Sequence, residues 1–321
     1  MDAETRERLL NQLRESIPKK QIIENAPMSR YTTLRLGGPA ELLVEIATPD
    51  QLTAAYQAAE ALHVPVLPLG NGSNLLVRDG GVRGVVLHLG DLFASVSEPA
   101  PLPDGRFALS AQAGATLQKV CNVAADYALT GLEFASGIPG TVGGAVYMNA
   151  GAYGGEMKDV VTTVTAIDAA GSVVAFEGDA LRFGYRTSAF NQENSGLAVT
   201  SVTICLRPGD EDTIRATMRE FSSRRREKQP ISVPSCGSTF KRPEGQFAGT
   251  LIDECGLKGL RIGGASVSEL HAGFLVNDEG GTAADFLALI AQVQRVVWEQ
   301  KGVMLQPEVR IVGEETLVTL A

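Results

Sequence analysis

Cysteine is scarce and scattered in this chain of 321 residues: Cys121, Cys205, Cys236 and Cys255 lie far apart, with no C-x-x-C pair. That spacing offers neither a zinc site nor a disulfide framework and points to a reducing compartment. Histidine is scarcer still, at three residues, so no His-rich metal site is expected. Positive charge is outnumbered, 28 Lys and Arg against 37 Asp and Glu, for a net charge of −9. Such a balance argues against a nucleic-acid or anionic-membrane partner, and any cationic site must be local. No apolar run approaches the roughly 18 residues of a membrane span. The N-terminal stretch MDAETRERLLNQLRE is charged and has no apolar core of a secretory signal. A soluble, cytoplasmic protein without a metal is the expectation. Repeats and low-complexity tracts are also missing.

Glycine, by contrast, is abundant and concentrated. From Gly131 to Gly155 the chain reads GLEFASGIPGTVGGAVYMNAGAYGG. Glycine is costly unless close approach or a positive φ is needed. A flexible linker would be polar, whereas this run carries Leu132, Phe134, Ile138, Val142, Val146, Tyr147 and Met148. A wall of bare backbone against a flat ligand is the better reading. Upstream, VPVLPLGNGSNLLV leads an apolar strand into Gly70-Asn71-Gly72-Ser73-Asn74 and out through a second one. Successive amides there can form an anion nest suited to a pyrophosphate. It is not the dinucleotide fingerprint of a Rossmann fold, because Leu75 stands at the third glycine position and strand follows. A plain hairpin turn is the alternative.

Local patterning gives the rest of the outline, and the length favours two domains. Residues 3–16 read as an amphipathic helix with Leu9, Leu10 and Leu13 on one side. Apolar residues 40–46 read as a strand. Thr48-Pro49-Asp50-Gln51 then starts a helix, with Thr48 as N-cap, Pro49 at the tolerated first position and Gln51 completing a capping box. Strands are expected at 64–69, 83–89, 106–112 and 197–206, with a hairpin pairing 160–168 with 172–177. A helix carries Leu117, Val120, Ala124 and Tyr127. Composition shifts at Pro208-Gly209-Asp210, before a charged helix that runs to Arg224-Arg225-Arg226-Glu227-Lys228. Phe286, Ile290, Val293 and Val297 are spaced as the core stripe of a helix over 282–300.

The two glycine stretches, with FGYRTSAF, PSCGSTFKRP, GTLIDECGLKGLRIGGASVS and LQPEVR in that order, closely resemble the MurB family of UDP-N-acetylenolpyruvoylglucosamine reductases over about residues 25 to 313. The resemblance implies an α+β fold: a two-lobed FAD-binding domain of the PCMH/vanillyl-alcohol-oxidase-like type plus a smaller α/β substrate-binding domain. It suggests an N-terminal helix at 1–18, an FAD domain at 19–210, a substrate domain at 211–306 and a C-terminal segment, 307–321, that returns to the FAD domain. The implied activity is FAD-dependent, NADPH-linked reduction of UDP-N-acetylglucosamine enolpyruvate to UDP-N-acetylmuramate for peptidoglycan. Flavin N5 would pass hydride to the vinyl carbon, and both partners would use one cleft in turn.

On the family's pattern Ser238 is the general acid. Cys236 lies two residues away, and the G-S-x-F frame favours the serine. A hydroxyl has a high pKa and can protonate only a strongly basic carbon such as an enolate. Arg186 and Glu308 match the two remaining catalytic positions. A guanidinium can hold the developing enediolate by a two-pronged contact, while the carboxyl is either protonated or orients a water or a cation. Cofactor contacts fall on Gly70, Asn71, Gly72, Ser73, Asn74, Leu75, Ser136, Gly137, Ile138, Pro139, Gly140, Gly143, Gly144, Ala145, Asn149, Arg225 and Arg310. Tyr185, Lys228, Arg242, Lys258 and His271 fall on substrate contacts. One branch of the family inserts a tyrosine loop between FGYR and the basic run. Residues 191–227 contain no tyrosine, so this chain resembles the shorter type, and how its pocket closes stays open. Also open are the oligomeric state, for which a monomer suffices, and two alternatives: an oxidase of the same cofactor superfamily and a non-catalytic nucleotide-sugar sensor.

Overall fold

A computed structural model of the chain describes residues 1–192 and 196–315. It contains seven α-helices among them: α1 (Ala3–Ser16), α2 (Pro49–Ala61), α3 (Leu117–Asp126), α4 (Val142–Tyr147), α5 (Glu211–Lys228), α6 (Ala248–Glu254) and α7 (Ala283–Lys301). Five match the periodicity of the sequence, and α4 and α6 do not announce themselves because they are only six and seven residues long. Helices that short show less than two turns of pattern.

Capping decides where the helices begin. Asp2 takes the amide of Thr5 at the head of α1, and Thr48 takes that of Gln51 at the head of α2, with Pro49 just inside. The Gln51 side chain does not close the expected capping box: its carbonyl accepts the Ala47 amide at 2.9 Å, one residue further out. Leu52, Tyr56 and Ala59 are buried, whereas Leu62 is the C-cap residue and only partly buried.

Packing divides the chain into two compact units. One contains Met1–Ile23, Leu42–Asn71 and Gly84–Arg224; the other contains Glu24–Glu41, Gly72–Arg83 and the chain from Arg225 onward. In the first unit an antiparallel sheet runs in the order Val173–Glu177, Val161–Ile167, Ala198–Pro208, Phe107–Gln112 and Ala100–Pro101. Register is set by one row of apolar side chains, Phe176, Val164, Val202 and Ala111, directly opposite one another. A one-residue slip would turn that row to the other face. The hairpin expected at 160–177 is present. In the same unit residues 66–69 pair in parallel with residues 85–88.

The second unit has its own antiparallel sheet, ordered Ser235–Ser238, Phe274–Asn277, Ala265–Val267 and Arg261–Ile262, and its own core around Phe286, Leu289, Ile290, Val293 and Val297 of α7. The boundaries expected at 19–210 and 211–306 cut the chain differently from this packing. Residues 24–41 and 72–83 belong with the C-terminal part, and α5 is divided between Arg224 and Arg225. The cause is long-range pairing. Arg310–Val312 lies parallel to Leu75–Val77, and Arg78 and Gly80 donate their amides to Val312 and Glu314. The strand leaving Gly70–Asn74 therefore pairs with the C-terminal segment and not with the strand before it, so the plain hairpin alternative does not hold.

The N-terminus of α7 ties the unit together. Thr282 and Asp285 form a capping box. Asp79, some two hundred residues earlier in sequence, takes the next two amides, Ala283 and Ala284, at 2.9 Å each. Two carboxylates thus face the positive end of a long helix. Asp79→Ala should lower unfolding stability by about 1–2 kcal/mol, read by urea denaturation, while Asp79→Asn should lose less because an amide oxygen still accepts. An alanine variant as stable as the parent would remove this cap from the account of the fold.

Candidate functional site

In the first unit the glycine-rich stretch is only partly open. Thr141 caps α4, accepting from Gly144 at 3.4 Å, while the amides of Val142 and Gly143 go to Ala115 and Ala113. A Cβ on Gly143 would stand 2.8 Å from Ala113 Cβ, so that glycine serves helix packing. A Cβ on Gly70 would meet Thr141 Oγ1 at 2.3 Å, and Asn71 Nδ2 donates to the Pro139 carbonyl at 3.1 Å. Gly70 and Asn71 therefore lie against Pro139–Thr141. Gly144 is exposed, and a Cβ there would touch only Thr141 Oγ1, at 3.6 Å. Among the described residues, the amides of Gly140 and Thr141 have no acceptor. Ser136 and Ala145 are buried, and Gly137 sits at φ 77 with its amide on Gln118 Oε1.

Asn149, expected at the cofactor, spends its side chain inside the protein. Its Nδ2 donates to Glu156 at 2.6 Å and to the Gly184 carbonyl at 3.0 Å, and its Oδ1 accepts from Lys158 at 2.9 Å. What it offers a ligand is main chain. The bond to Gly184 brings Tyr185 and Arg186 to the end of the glycine stretch. Ser188 Oγ adds a second anchor on the Tyr147 carbonyl, 2.9 Å away. Arg186 itself has φ 55, with its guanidinium 5.5 Å from the Tyr185 ring centre.

In the second unit Thr239 is the hub. It is fully buried; its amide goes to Gly273, and its carbonyl accepts the amides of Glu308 at 2.8 Å and Val309 at 3.4 Å. Ser238, the exposed neighbour, is thereby held beside half-buried Glu308. Asn74 joins them: its Nδ2 donates to the Glu308 carbonyl at 3.2 Å, and its own carbonyl accepts the Arg310 amide at 3.1 Å. Among the described residues, the amides of Gly72, Ser73 and Asn74 have no acceptor. Leu75 is buried in the parallel pairing with Arg310.

Cys236, two residues from Ser238, lies in the core. It is 3% exposed, and burial pushes its thiol up to about 12, with the nearby Glu308 charge adding to the rise. A buried thiol of that kind is inert.

The remaining expected contacts of the second unit separate into smaller groups. Lys258 pairs with Asp253 at 2.7 Å. His271, edge-on to Phe274, accepts the Gly273 amide on Nδ1, and burial lowers its pKa below the usual imidazole value, with Lys258 contributing repulsion. Arg242 lies over the exposed Phe247 ring at 4.6 Å. Arg225 and Lys228 occupy the last turn of α5, Arg225 reaching Gln229 at 3.3 Å.

The sequence reading missed one segment. Tyr31–Gly38 passes as a loop, yet the Thr33 amide reaches the Gly72 carbonyl at 3.4 Å and its hydroxyl donates to the Ser235 carbonyl at 2.7 Å. It links the nest residues of this unit to the serine strand. The Thr-Thr pair ahead of Gly37-Gly38 is the only local signal.

These features fit a flavin dinucleotide. In the second unit the unpaired successive amides of Gly72, Ser73 and Asn74 suit a pyrophosphate, and in the first unit bare backbone at Gly144 leaves room for close approach. No group of His, Cys, Asp or Glu suited to a metal occurs among the described residues, and no helix there is long and apolar enough to cross a membrane.

Comparison with known proteins agrees. Residues 40–177 match the FAD binding domain family, and residues 229–312 match the UDP-N-acetylenolpyruvoylglucosamine reductase C-terminal domain. The reductase of Lactococcus lactis subsp. cremoris strain SK11 is 48% identical over 94% of this chain and 98% of its own length. That of Exiguobacterium sibiricum is 44% identical over 96% and 99%. The crystal structure of the Thermus caldophilus reductase superposes with a TM-score of 0.75 at 36% identity, covering 90% of this chain and 97% of its own. The α+β fold with an FAD-binding domain, the flavoprotein oxidoreductase character and the link to peptidoglycan synthesis follow, and the chain belongs to the MurB family of UDP-N-acetylenolpyruvoylglucosamine reductases.

Proposed function

We propose that this enzyme uses NADPH to reduce UDP-N-acetyl-3-O-(1-carboxyvinyl)-glucosamine to UDP-N-acetylmuramate in the cytoplasm, with Ser238, Arg186 and Glu308 as its catalytic groups. The observation that supports the reading is the Thr239 hub, whose carbonyl accepts the Glu308 amide and so brings the main chain of Ser238 and Glu308 close together next to Asn74. FAD, when bound, supplies the two-electron relay that delivers hydride from NADPH to the vinyl carbon. Gly70–Leu75, Ser136–Gly140, Gly143–Ala145, Arg225 and Arg310 would hold it, together with the main chain of Asn149.

The protein's own part is orientation and charge. Hydride addition to a carboxyvinyl ether puts negative charge on the carboxylate as an enediolate. The planar fork of Arg186 can neutralise both oxygens at once. Ser238 then gives its proton to the carbon next to the carboxylate, completing addition of H⁻ and H⁺ across the double bond. Glu308, in the same unit as Ser238, either carries a proton that it returns to the serine and regains from solvent, or orients a water that does so. Tyr185 would flank the sugar, and Lys228, Arg242, Lys258 and His271 the uridine diphosphate. In an acidic protein these cations provide the local positive field that a diphosphate needs.

Ser238→Ala should cut NADPH oxidation driven by the enolpyruvyl sugar by roughly 10²- to 10⁴-fold, while flavin bleaching by NADPH alone survives. Cys236→Ala should stay near the parent in both measurements. The reverse pattern would transfer the acid role to the thiol. Arg186→Lys should lose on the order of 10²-fold in turnover, because an ammonium cannot reproduce the two-pronged contact. Near-parent turnover in that variant would remove Arg186 from the mechanism.

A further inference from the structure

Arg186 is presented by an unusual piece of backbone. Gly184 and Thr187 exchange amide-to-carbonyl bonds of 3.0 and 3.3 Å, which makes Tyr185 and Arg186 the two-residue tip of a tight turn. The second tip position has φ 55. Turns ask for glycine or asparagine there, since a side chain pays a steric penalty for positive φ. An arginine at such a place needs its peptide group fixed from outside.

One side chain does that. Asn191 Nδ2 donates to the Arg186 carbonyl at 3.0 Å, while its Oδ1 accepts the Ser188 amide at 3.0 Å and the Thr187 hydroxyl at 3.2 Å. A single amide thus spans the three residues from the tip to the descending arm. The other anchors act elsewhere: Asn149 holds the Gly184 carbonyl, and the buried Ser188 hydroxyl holds that of Tyr147. They dock the turn onto the end of the glycine stretch whether or not Asn191 is present. Of these three anchors, Asn191 alone touches the peptide of Arg186.

We infer that Asn191 is a positioning residue for Arg186, holding its backbone in the left-handed state so that the guanidinium meets the substrate carboxylate in one orientation. The inference rests on the role proposed above for Arg186. Without the amide, the Arg186 carbonyl loses that donor and its peptide, whose Thr187 N–H keeps the long 3.3 Å bond to Gly184, gains freedom to tilt, so the side chain leaves its direction while the turn stays docked.

The test uses the flavin-loaded enzyme and three variants, Asn191→Ala, Arg186→Ala and the double replacement. Asn191→Ala should slow oxidation of the reduced enzyme by the enolpyruvyl sugar about 10²-fold, the cost of displacing a catalytic group by an ångström or so. Reduction by NADPH alone, flavin content and Tm should remain near the parent's. The double variant should be no slower than Arg186→Ala, because a residue acting only through another adds nothing once that other is gone. Amide hydrogen exchange at Ser188 should quicken in Asn191→Ala, a readout independent of turnover. Asn191→Asp, which keeps the acceptor and loses the donor to Arg186, carries the same kinetic test if the alanine variant does not retain flavin.

Effects that add in the double variant, or a parent-like rate in Asn191→Ala beside a crippled Arg186→Ala, would overturn the inference. A parent enzyme that does not consume NADPH with the enolpyruvyl sugar would overturn the functional reading instead and this inference with it.

Discussion

The carbonyl of Thr239 accepting the amide of Glu308 is the bond on which the arrangement of Ser238, Asn74, Glu308 and Arg310 in the second unit depends. The two stand 69 positions apart in the sequence. Main-chain bonds remove that distance with little freedom left over, because each fixes a peptide plane and not a rotatable side chain. Asn74 extends the arrangement by bonding to Glu308 and Arg310, and Thr33 extends it to the serine strand. In the reaction proposed above, a hydroxyl that must donate a proton to carbon has a poor driving force. Holding it in place before the substrate arrives is where the protein can help, and backbone pairing is the stiffest means available.

The glycines divide into two kinds by what surrounds them. At Gly143 and Gly70 a methyl group would collide with Ala113 or Thr141, so those positions let helix, strand and turn pack. At Gly144 a methyl group would find almost nothing, so that position keeps a surface bare. Both kinds stand in one run of sequence and look alike there. Backbone strain follows a related pattern: Asn149, Tyr153, Arg182 and Arg186 all have positive φ without being glycine, half of the eight such residues described. Strain of this kind persists where surrounding bonds over-determine it. Asn149 is itself the hub of three hydrogen bonds, and Arg186 is clasped by Asn191.

Burial separates two residues that look alike in the sequence. Ser238 and Cys236 are two residues apart on one strand, and either could be written as the acid. A strand sends neighbours of that spacing to the same face, yet Gly237 at φ 79 and the register shift between Ser235 and Ser238 break the alternation. The thiol ends in the core and the hydroxyl at the surface.

The sequence by itself determined the long helices, through apolar spacing and N-caps; the absence of disulfide and metal spacing; and the motifs that carry the family resemblance. These are local properties, decided within a few residues by sterics and hydrogen bonding. Only the tertiary structure decided that Leu75–Val77 pairs with the C-terminal segment, that Asp79 caps α7, that Asn149 turns inward and that Thr33 joins the nest residues to the serine strand. Those contacts join residues up to more than two hundred positions apart. Their free energy comes from partners that no local window contains, so the physics that selects them acts only once the chain has folded back on itself.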